Sequence, residues 1–438
     1  MTRIIQSFAT TVAALLSTFA VHSQALQPLS AFVVSARSRN PDNRAAAATA
    51  TQSAAQRDVA TASYLPSFTA QGTYTHNQYE ASLTLPASIV PGGTTLVIAP
   101  QNQIDAYLTL AVPLINVGAW EQRRAARIHA DATLAVQANT EAWVETRIAQ
   151  AYYQLLGSEA VLSAATNSLD AANGNVNTVR DRAQLGTASE LDIQRAVADV
   201  SRAEQDVATA DQGVVIARRS LESLSRLTPS PANPANYLPD DLHEERPLAS
   251  WLDPSSAKAL VSAKSSVLDT EAAVASRSAA RAGWLPTLAA QGQEHITNAT
   301  GFSARSSILT VTATATWRLD LALAPKVEAQ SAALAAAEAA EDKAVRAAQD
   351  AIYEAWHHIR VGIAKARAAR EQVKANSLAL GLAKDRYANG AALQLEVVQA
   401  QRDLFQSAVA QAQADFDLQY SRALLRLAAR RTGQEHRP

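Results

Sequence analysis

The chain has 438 residues, with 39 Lys and Arg against 40 Asp and Glu, a formal net charge of −1 and no cysteine. The balanced charge argues against nucleic-acid binding, which normally brings a basic excess, and the lack of cysteine excludes disulfides, thiol nucleophiles, cysteine zinc sites and a lipidated N-terminal Cys. Aromatics make up 5%, with 15 Gly and 16 Pro in the whole chain; such alanine-rich, turn-poor sequence with scattered charges predicts long helices packed through small side chains.

Residues 1–25 read as a signal peptide. Arg3 supplies the positive start, an apolar run from Phe8 to Val21 follows, and Ser23-Gln24-Ala25 has small residues where a peptidase reads them, so cleavage is expected after Ala25. No later stretch has the roughly 18 apolar residues of a membrane helix. Barrel strands would escape that test, because they leave only a weak alternating signal.

The remainder is a tandem duplication. Tyr64-Leu65-Pro66-Ser67-Phe68-Thr69-Ala70-Gln71-Gly72 resembles Trp284-Leu285-Pro286-Thr287-Leu288-Ala289-Ala290-Gln291-Gly292, 220 residues on, and the segment 181–192 resembles 385–396, 204 residues on. The period is too long for a solenoid and marks a duplicated half-protein. The first copy spans 26–227 and the second 255–432. Between them, the proline-dense segment 228–254 cannot continue a helix and serves as linker; residues 433–438 form a tail. The extra residues of the first copy fall in 76–103, where Pro86, Pro91-Gly92-Gly93 and Pro100 predict a loop.

Each copy reads helix, two strands, long helix, turn, helix. The first helices are 29–62 and 257–283, each stopped near a Leu-Pro. Strands follow at 67–75 and 104–114, then at 287–295 and 308–319, with one apolar and one Thr- and Gln-rich face. Their length suits a tilted strand crossing a bilayer, and the polar face suits a water-filled lumen. Four strands cannot close a membrane barrel and open edges cannot face lipid, so membrane insertion requires at least two chains to share one barrel. Helices 118–184 and 322–387 are rods on the order of 100 Å at about 1.5 Å per residue. They end at Gly186 and Gly390, with Thr187 or Ser189 available to cap the next helix, and 190–226 and 393–432 run back as antiparallel partners.

Duplicated halves, a Leu-Pro strand start, a two-strand hairpin, and a glycine tip followed by a Leu-acidic pair resemble the TolC family of outer-membrane efflux proteins. The resemblance covers the mature chain. It implies a mainly helical fold with a β-barrel part: a homotrimer whose strands complete a twelve-stranded barrel in the outer membrane and whose helical hairpins form a periplasmic coiled-coil tunnel. It further implies docking with a periplasmic adaptor and an inner-membrane transporter. By the same resemblance Glu396 and Gln399 match the inward positions of the constriction, with glutamate for aspartate at the first and no charge at the second. Asp192 matches the acidic position after the first tip, and Tyr387 a position whose side chain latches the closed state by hydrogen bonding. Leu185-Gly186-Thr187 fits the adaptor-contact pattern; Asn389-Gly390-Ala391 lacks the usual apolar residue before Gly. Three copies of Glu396 near a threefold axis would draw cations to a narrow entrance.

Other chemistry is sparse. No phosphate loop, dinucleotide fingerprint or His-Glu-x-x-His is present, and His357-His358 are helix neighbours facing different ways, so neither an enzyme nor a cofactor is expected. Asp240-Asp241-Leu242-His243-Glu244-Glu245 reads as a solvated acidic loop, with cation binding as the lesser alternative. Two other roles compete with the efflux duct: an exit duct for type I protein secretion, and a soluble periplasmic coiled-coil scaffold.

Overall fold

The computed structural model describes residues 26–88, 91–230 and 240–432; the expected signal peptide, the tail and part of the linker lie outside them. The helices are α1 (Leu29–Arg39), α2 (Pro41–Ala62), α3 (Val117–Gln184), α4 (Glu190–Ser225), the one-turn α5 (Leu248–Trp251), α6 (Val261–Ala282), α7 (Leu323–Ala388) and α8 (Gln394–Ala428). The strands are β1 (Ser67–His76), β2 (Ala81–Leu85), β3 (Thr94–Ala99), β4 (Asn102–Ile115), β5 (Thr287–Thr297) and β6 (Ser307–Thr316). Two compact units are built from these elements, one of residues 47–136 and 263–346, the other of 26–46, 137–262 and 347–432 within the described range.

The first unit holds a four-stranded antiparallel sheet in the order β1-β4-β5-β6. β4 and β5 come from different copies, so the duplication is joined at the centre of the sheet. The register puts Phe68 opposite Leu110, Leu110 opposite Gly292 and Gly292 opposite Val311. One face is therefore apolar across all four strands. The other aligns Thr69, Thr109, Gln293 and Thr310 in a polar row. On the central strand β4 exposure runs opposite to that of a water-soluble sheet, and on the edge strands β1 and β6 both faces are exposed. Phe68, Ile104, Leu309 and Val311 are 58–73% exposed on the apolar face, while Asp105 and Thr297 on the polar face are buried. Large contiguous apolar exposure marks a surface meant for another apolar phase.

On the polar face Asp105 accepts hydrogen bonds from His295 Nε2 at 2.9 Å and Gln103 Nε2 at 2.7 Å, and the His295 ring stacks on Tyr107. This network crosses the β4–β5 seam between the copies. Glu294 is the charged exception on the apolar face, close to the end of β5, where the Ser307 hydroxyl donates to it. A carboxylate costs little there compared with the bilayer centre.

Three expectations are corrected here. The segment 76–103 is not a plain loop: its flanks pair as the hairpin β2–β3, with Leu83 opposite Leu96 and Thr84 opposite Thr95. Pro86, Pro91 and the positive-φ Gly92 and Gly93 lie in the connection, and Pro100 stands between β3 and β4. The first helix, expected over 29–62, breaks at Asn40, whose ψ of 132° is extended, because a residue before proline is driven out of the helical region. Asn40 then accepts from the Asp42 N–H at 2.8 Å, capping α2. At the other end of the sheet, β6 stops at Thr316, three residues short of the alternating pattern. Its partner β5 begins after Pro286, which has no N–H to offer.

The second unit is helical. α1 buries Phe32, Val33 and Ala36 against Val144, Ile148 and Leu155 of α3 and Val214, Ala217 and Leu221 of α4. The Ser35 hydroxyl and Asn40 amide donate to the carbonyls of Ser225 and Leu224, at 2.8 and 2.9 Å, occupying acceptors the end of α4 leaves open.

The linker matches the solvated acidic loop read from its composition only in part: Asp241 and Glu244 are exposed, but Asp240 and Glu245 are not. Asp240 and Arg422 side chains are each 6% exposed. Arg422 of α8 holds both Asp240 oxygens at 2.8 and 3.0 Å, Glu245 at 2.6 Å and the His243 carbonyl at 2.8 Å. Arg370 of α7 donates to the Asp240 carbonyl at 2.9 Å while paired to Asp415, and the Trp356 indole donates to the Arg246 carbonyl. Asp240, Asp241 and His243 bring ligand atoms within 4.8 Å of one another, but Asp240 and His243 Nε2 already face the guanidinium, so a metal cation there would meet a fixed positive charge. Burial alone would lower the pKa of Arg422; the Asp240 and Glu245 bonds outweigh it and raise it.

Candidate functional site: the two helical tips

The tips have the same backbone construction twice. At the first, the Thr187 N–H bonds the Arg182 carbonyl and the Gly186 N–H bonds that of Ala183, both at 2.9 Å. At the second, Ala391 bonds Arg386 at 2.8 Å and Gly390 bonds Tyr387 at 3.0 Å. This is the Schellman closure, and it needs a left-handed residue; Gly186 and Gly390 have φ of 76° and 71°. A Cβ at either would be strained whatever the space around it.

The helices leaving the tips start differently. Ser189 caps α4 in a capping box with Asp192: the Ser189 hydroxyl accepts from the Asp192 N–H at 3.3 Å, and Asp192 accepts from the Ser189 N–H at 3.1 Å. Of the two expected capping candidates, Ser189 is the one used. Donation from the Ser189 hydroxyl holds the Asp192 carboxyl below its ordinary range, ahead of the opposing effect of burial. A carboxylate depressed on folding stabilises above its unfolded pKa, about 4, and that contribution vanishes as pH falls through the lower folded value. Acidification below about pH 4 is expected to loosen the first tip; hydrogen exchange at 186–195 should rise in wild type and change less in Asp192→Ala.

Leu393 stands at the matching position before α8 and has no acceptor. Its backbone N–H reaches Glu396 Oε1 at 3.4 Å, half of a box. Leu393→Ser is expected to stabilise the second tip by roughly 0.5–2 kcal/mol, the usual worth of an N-cap, read as a higher melting temperature in detergent; no gain would mean that the exposed Leu393 is held by a contact outside the chain.

Arg182 connects the two tips. Its Nη1 donates to the Tyr387 carbonyl at 2.6 Å and approaches the Ala388 carbonyl at 3.4 Å. The guanidinium also lies 4.5 Å from the centroid of the Tyr387 ring. A cation on the last carbonyls of α7 is favoured by the helix dipole. The Tyr387 hydroxyl is buried and has no hydrogen-bond partner among the described residues, so this tyrosine contributes its ring and its carbonyl. Burial raises its pKa, Arg182 lowers it and Asp192 raises it again. Sequence reading assigned Arg182 no role, although the repeat alignment contains it beside Arg386. The signal was a basic residue in the last turn of a rod, in both copies.

Glu396 and Gln399 are exposed on α8. Arg386 Nη1 lies 3.4 Å from Glu396, which partly offsets that charge. Gln399 Nε2 donates to Asp403 at 3.1 Å. These three residues open a stripe that continues through Gln406, Ala410, Gln413 and Asp417 at alternating spacings of three and four, all of them exposed or half-buried. Nothing bulky and apolar and nothing basic interrupts it. A face that packed on protein would carry apolar residues at these coiled-coil intervals, so this one suits water. Asp403 is a second acidic side chain on this face, one turn beyond Gln399. Exposed leucines cluster at the tips: Leu185 is 79% exposed, Leu393 69%, Leu191 57% and Leu395 51%. The apolar residue missing before Gly390 is thus matched by others on the far side of that turn.

The profile of the family described as "Outer membrane efflux protein" matches residues 32–225 and 262–430, leaving out the linker. No curated protein sequence matches. Among solved structures, the fold is similar to CusC at 17% identity and a TM-score of 0.79, covering 92% of this chain and 91% of that one, in a study of its folding and transmembrane channel formation. It is also similar to the Campylobacter jejuni CmeC outer membrane channel at 16% identity, TM-score 0.78, covering 94% and 88%. The open-state Neisseria gonorrhoeae MtrE outer membrane channel matches at 19% identity, TM-score 0.73, covering 92% and 89%. With both copies matched over most of their length, the chain belongs to the outer membrane efflux protein family, a family of outer-membrane channels.

Proposed function

We propose that the protein is the passive outer-membrane exit duct of a tripartite efflux system, working as a homotrimer. The observation that carries this is the sheet. β1 and β6 are its two edges, each exposed along its whole length, and on the central strand β4 the apolar face is the more exposed one. With four antiparallel strands, β6 of one protomer meets β1 of the next antiparallel, so repeated copies close a barrel without a mismatched seam. Closure removes edges that lipid cannot satisfy, and three copies give twelve strands. An exposed apolar sheet face is also what a soluble scaffold would avoid.

The helical hairpins supply the periplasmic wall, and the tips its entrance. Leu185-Gly186-Thr187 and Asn389-Gly390-Ala391, with their neighbouring leucines, offer apolar contact to a periplasmic adaptor, which couples the duct to an inner-membrane pump. Glu396, Gln399, Asp192 and Tyr387 lie at the constriction, and Asp403 carries the second acidic charge. In planar bilayers Asp403→Asn and Glu396→Gln are each expected to shift the reversal potential toward lower cation preference, Asp403 more, because Arg386 partly offsets Glu396. Unchanged reversal potentials in both would remove the acidic stripe from the conduction path. The duct itself is tested by light scattering of the detergent-extracted protein: a mass of three chains retained through a detergent-free membrane wash supports it, and release by the wash as a monomer overturns it.

A further inference from the structure

A groove of about 720 Å3 lies within the helical unit, between α3, α4 and α8. The half-buried rings of Tyr153, Phe405 and Tyr420 border it, the buried Phe416 packs down onto Gly157, and two carboxylates, Asp206 and Asp417, line it with them. Its floor is made by small residues. A Cβ on Gly157 would stand 3.2 Å from Phe416 Cδ2, and one on Gly213 would stand 3.9 Å from the Ser158 hydroxyl. The helices therefore approach closely enough to shape a trough while the aromatic rings rise beside it. No basic side chain lines the groove. Arg426 acts on the Tyr153 hydroxyl from beyond it, and Lys365 shares a separate cleft with Asp417. Neither Asp206 nor Asp417 has an ion partner among the described residues. Asp206 is half-buried and its desolvation raises its pKa, so it gains from any cation brought near.

Aromatic faces and unpaired carboxylates around one trough favour a cation that carries apolar substituents, through ring quadrupole, charge and buried apolar area together. A small hydrated metal ion would leave the rings unused, and an anion would meet two like charges. We propose that this groove is a binding site for amphiphilic organic cations. The acidic α8 stripe runs into it through Gln413 and Asp417, so cations drawn along the stripe reach an apolar resting place. The inference rests on the duct reading only in making the bound cation cargo.

The test uses the assembled, detergent-extracted protein and equilibrium dialysis with tetraphenylphosphonium and its anionic counterpart tetraphenylborate, which match in size and apolar surface. Saturable binding of the cation in preference to the anion is expected, weakened about fivefold by Asp206→Asn or Asp417→Asn, a loss near 1 kcal/mol, and restored by Asp206→Glu. Equal binding of the two ions, or binding unchanged by both asparagine variants, overturns the proposal. Because the chain has no cysteine, Gln413→Cys provides a clean second reading. Labelling by a charged thiol reagent, slowed by tetraphenylphosphonium, supports an open site, whereas no labelling in the assembled protein means a second copy covers the groove and the proposal falls. Cation binding by protein that forms no conducting pore would leave the groove standing and remove the duct.

Discussion

Arg422→Met is expected to destabilise the protein by about 3–5 kcal/mol, the cost of leaving buried charges without their partner. Asp240 and Glu245 converge on this one guanidinium, and their side chains are 6% and 13% exposed. Removing it strands two carboxylates in a site water barely reaches. The loss should appear as a lower unfolding midpoint in detergent and as new proteolytic cleavage within 240–247, since Arg422 and Arg370 together hold that strap. Replacing the whole ionic group, as Arg422→Met with Asp240→Leu and Glu245→Leu, should recover much of the stability, because the penalty lies in the unpaired charges and not in the absence of an ion pair. A single variant with wild-type stability and no new cleavage would mean that the strap is held elsewhere.

Arg182→Ala is expected to free the second tip from the first, at a cost of roughly 1.5–3 kcal/mol for a charge-assisted hydrogen bond, with the stacking on Tyr387 adding about 0.5–1 kcal/mol. If the contact holds the entrance narrow, each 1.4 kcal/mol shifts the narrow-to-wide equilibrium about tenfold, and single-channel conductance or open probability should rise. Arg182→Lys should behave much like alanine, since an ammonium cannot reach the carbonyl and lie flat on the ring at once. Tyr387→Phe should be nearly silent, because the hydroxyl has no partner to lose. A large effect of Tyr387→Phe with none from Arg182→Ala would reverse the assignment.

Where a single local rule decided the outcome, the sequence was sufficient. The sheet strands showed themselves by alternation of period two. The rods showed themselves by the lack of Gly and Pro, and the tips by a glycine where a helix must close through a left-handed residue. The duplication followed from two aligned segments. Four strands in one open sheet also underlie the proposal of a shared barrel, because unpaired strand edges cannot face lipid. The hairpin β2–β3 was obscured because its connection is rich in proline and glycine while its strands are only five and six residues long. The break at Asn40 was legible in principle from Pro41, but the alanine-rich stretch after it, of high helix propensity, masked it.

What only the tertiary structure decided were the meetings between residues far apart in the chain. Asp240 and Arg422 are 182 positions apart, and Arg182 and Tyr387 are 205 apart. A carboxylate in a proline-rich linker and an arginine on a helix both read as solvated until folding brings them together and excludes water. The groove likewise depends on how closely three helices approach over Gly157 and Gly213, a distance set by side chains on all three. Local propensity and period fix which elements form, since backbone geometry and solvent exposure act residue by residue. Pairing of charges and the shaping of cavities depend on long-range packing, which no window of sequence contains.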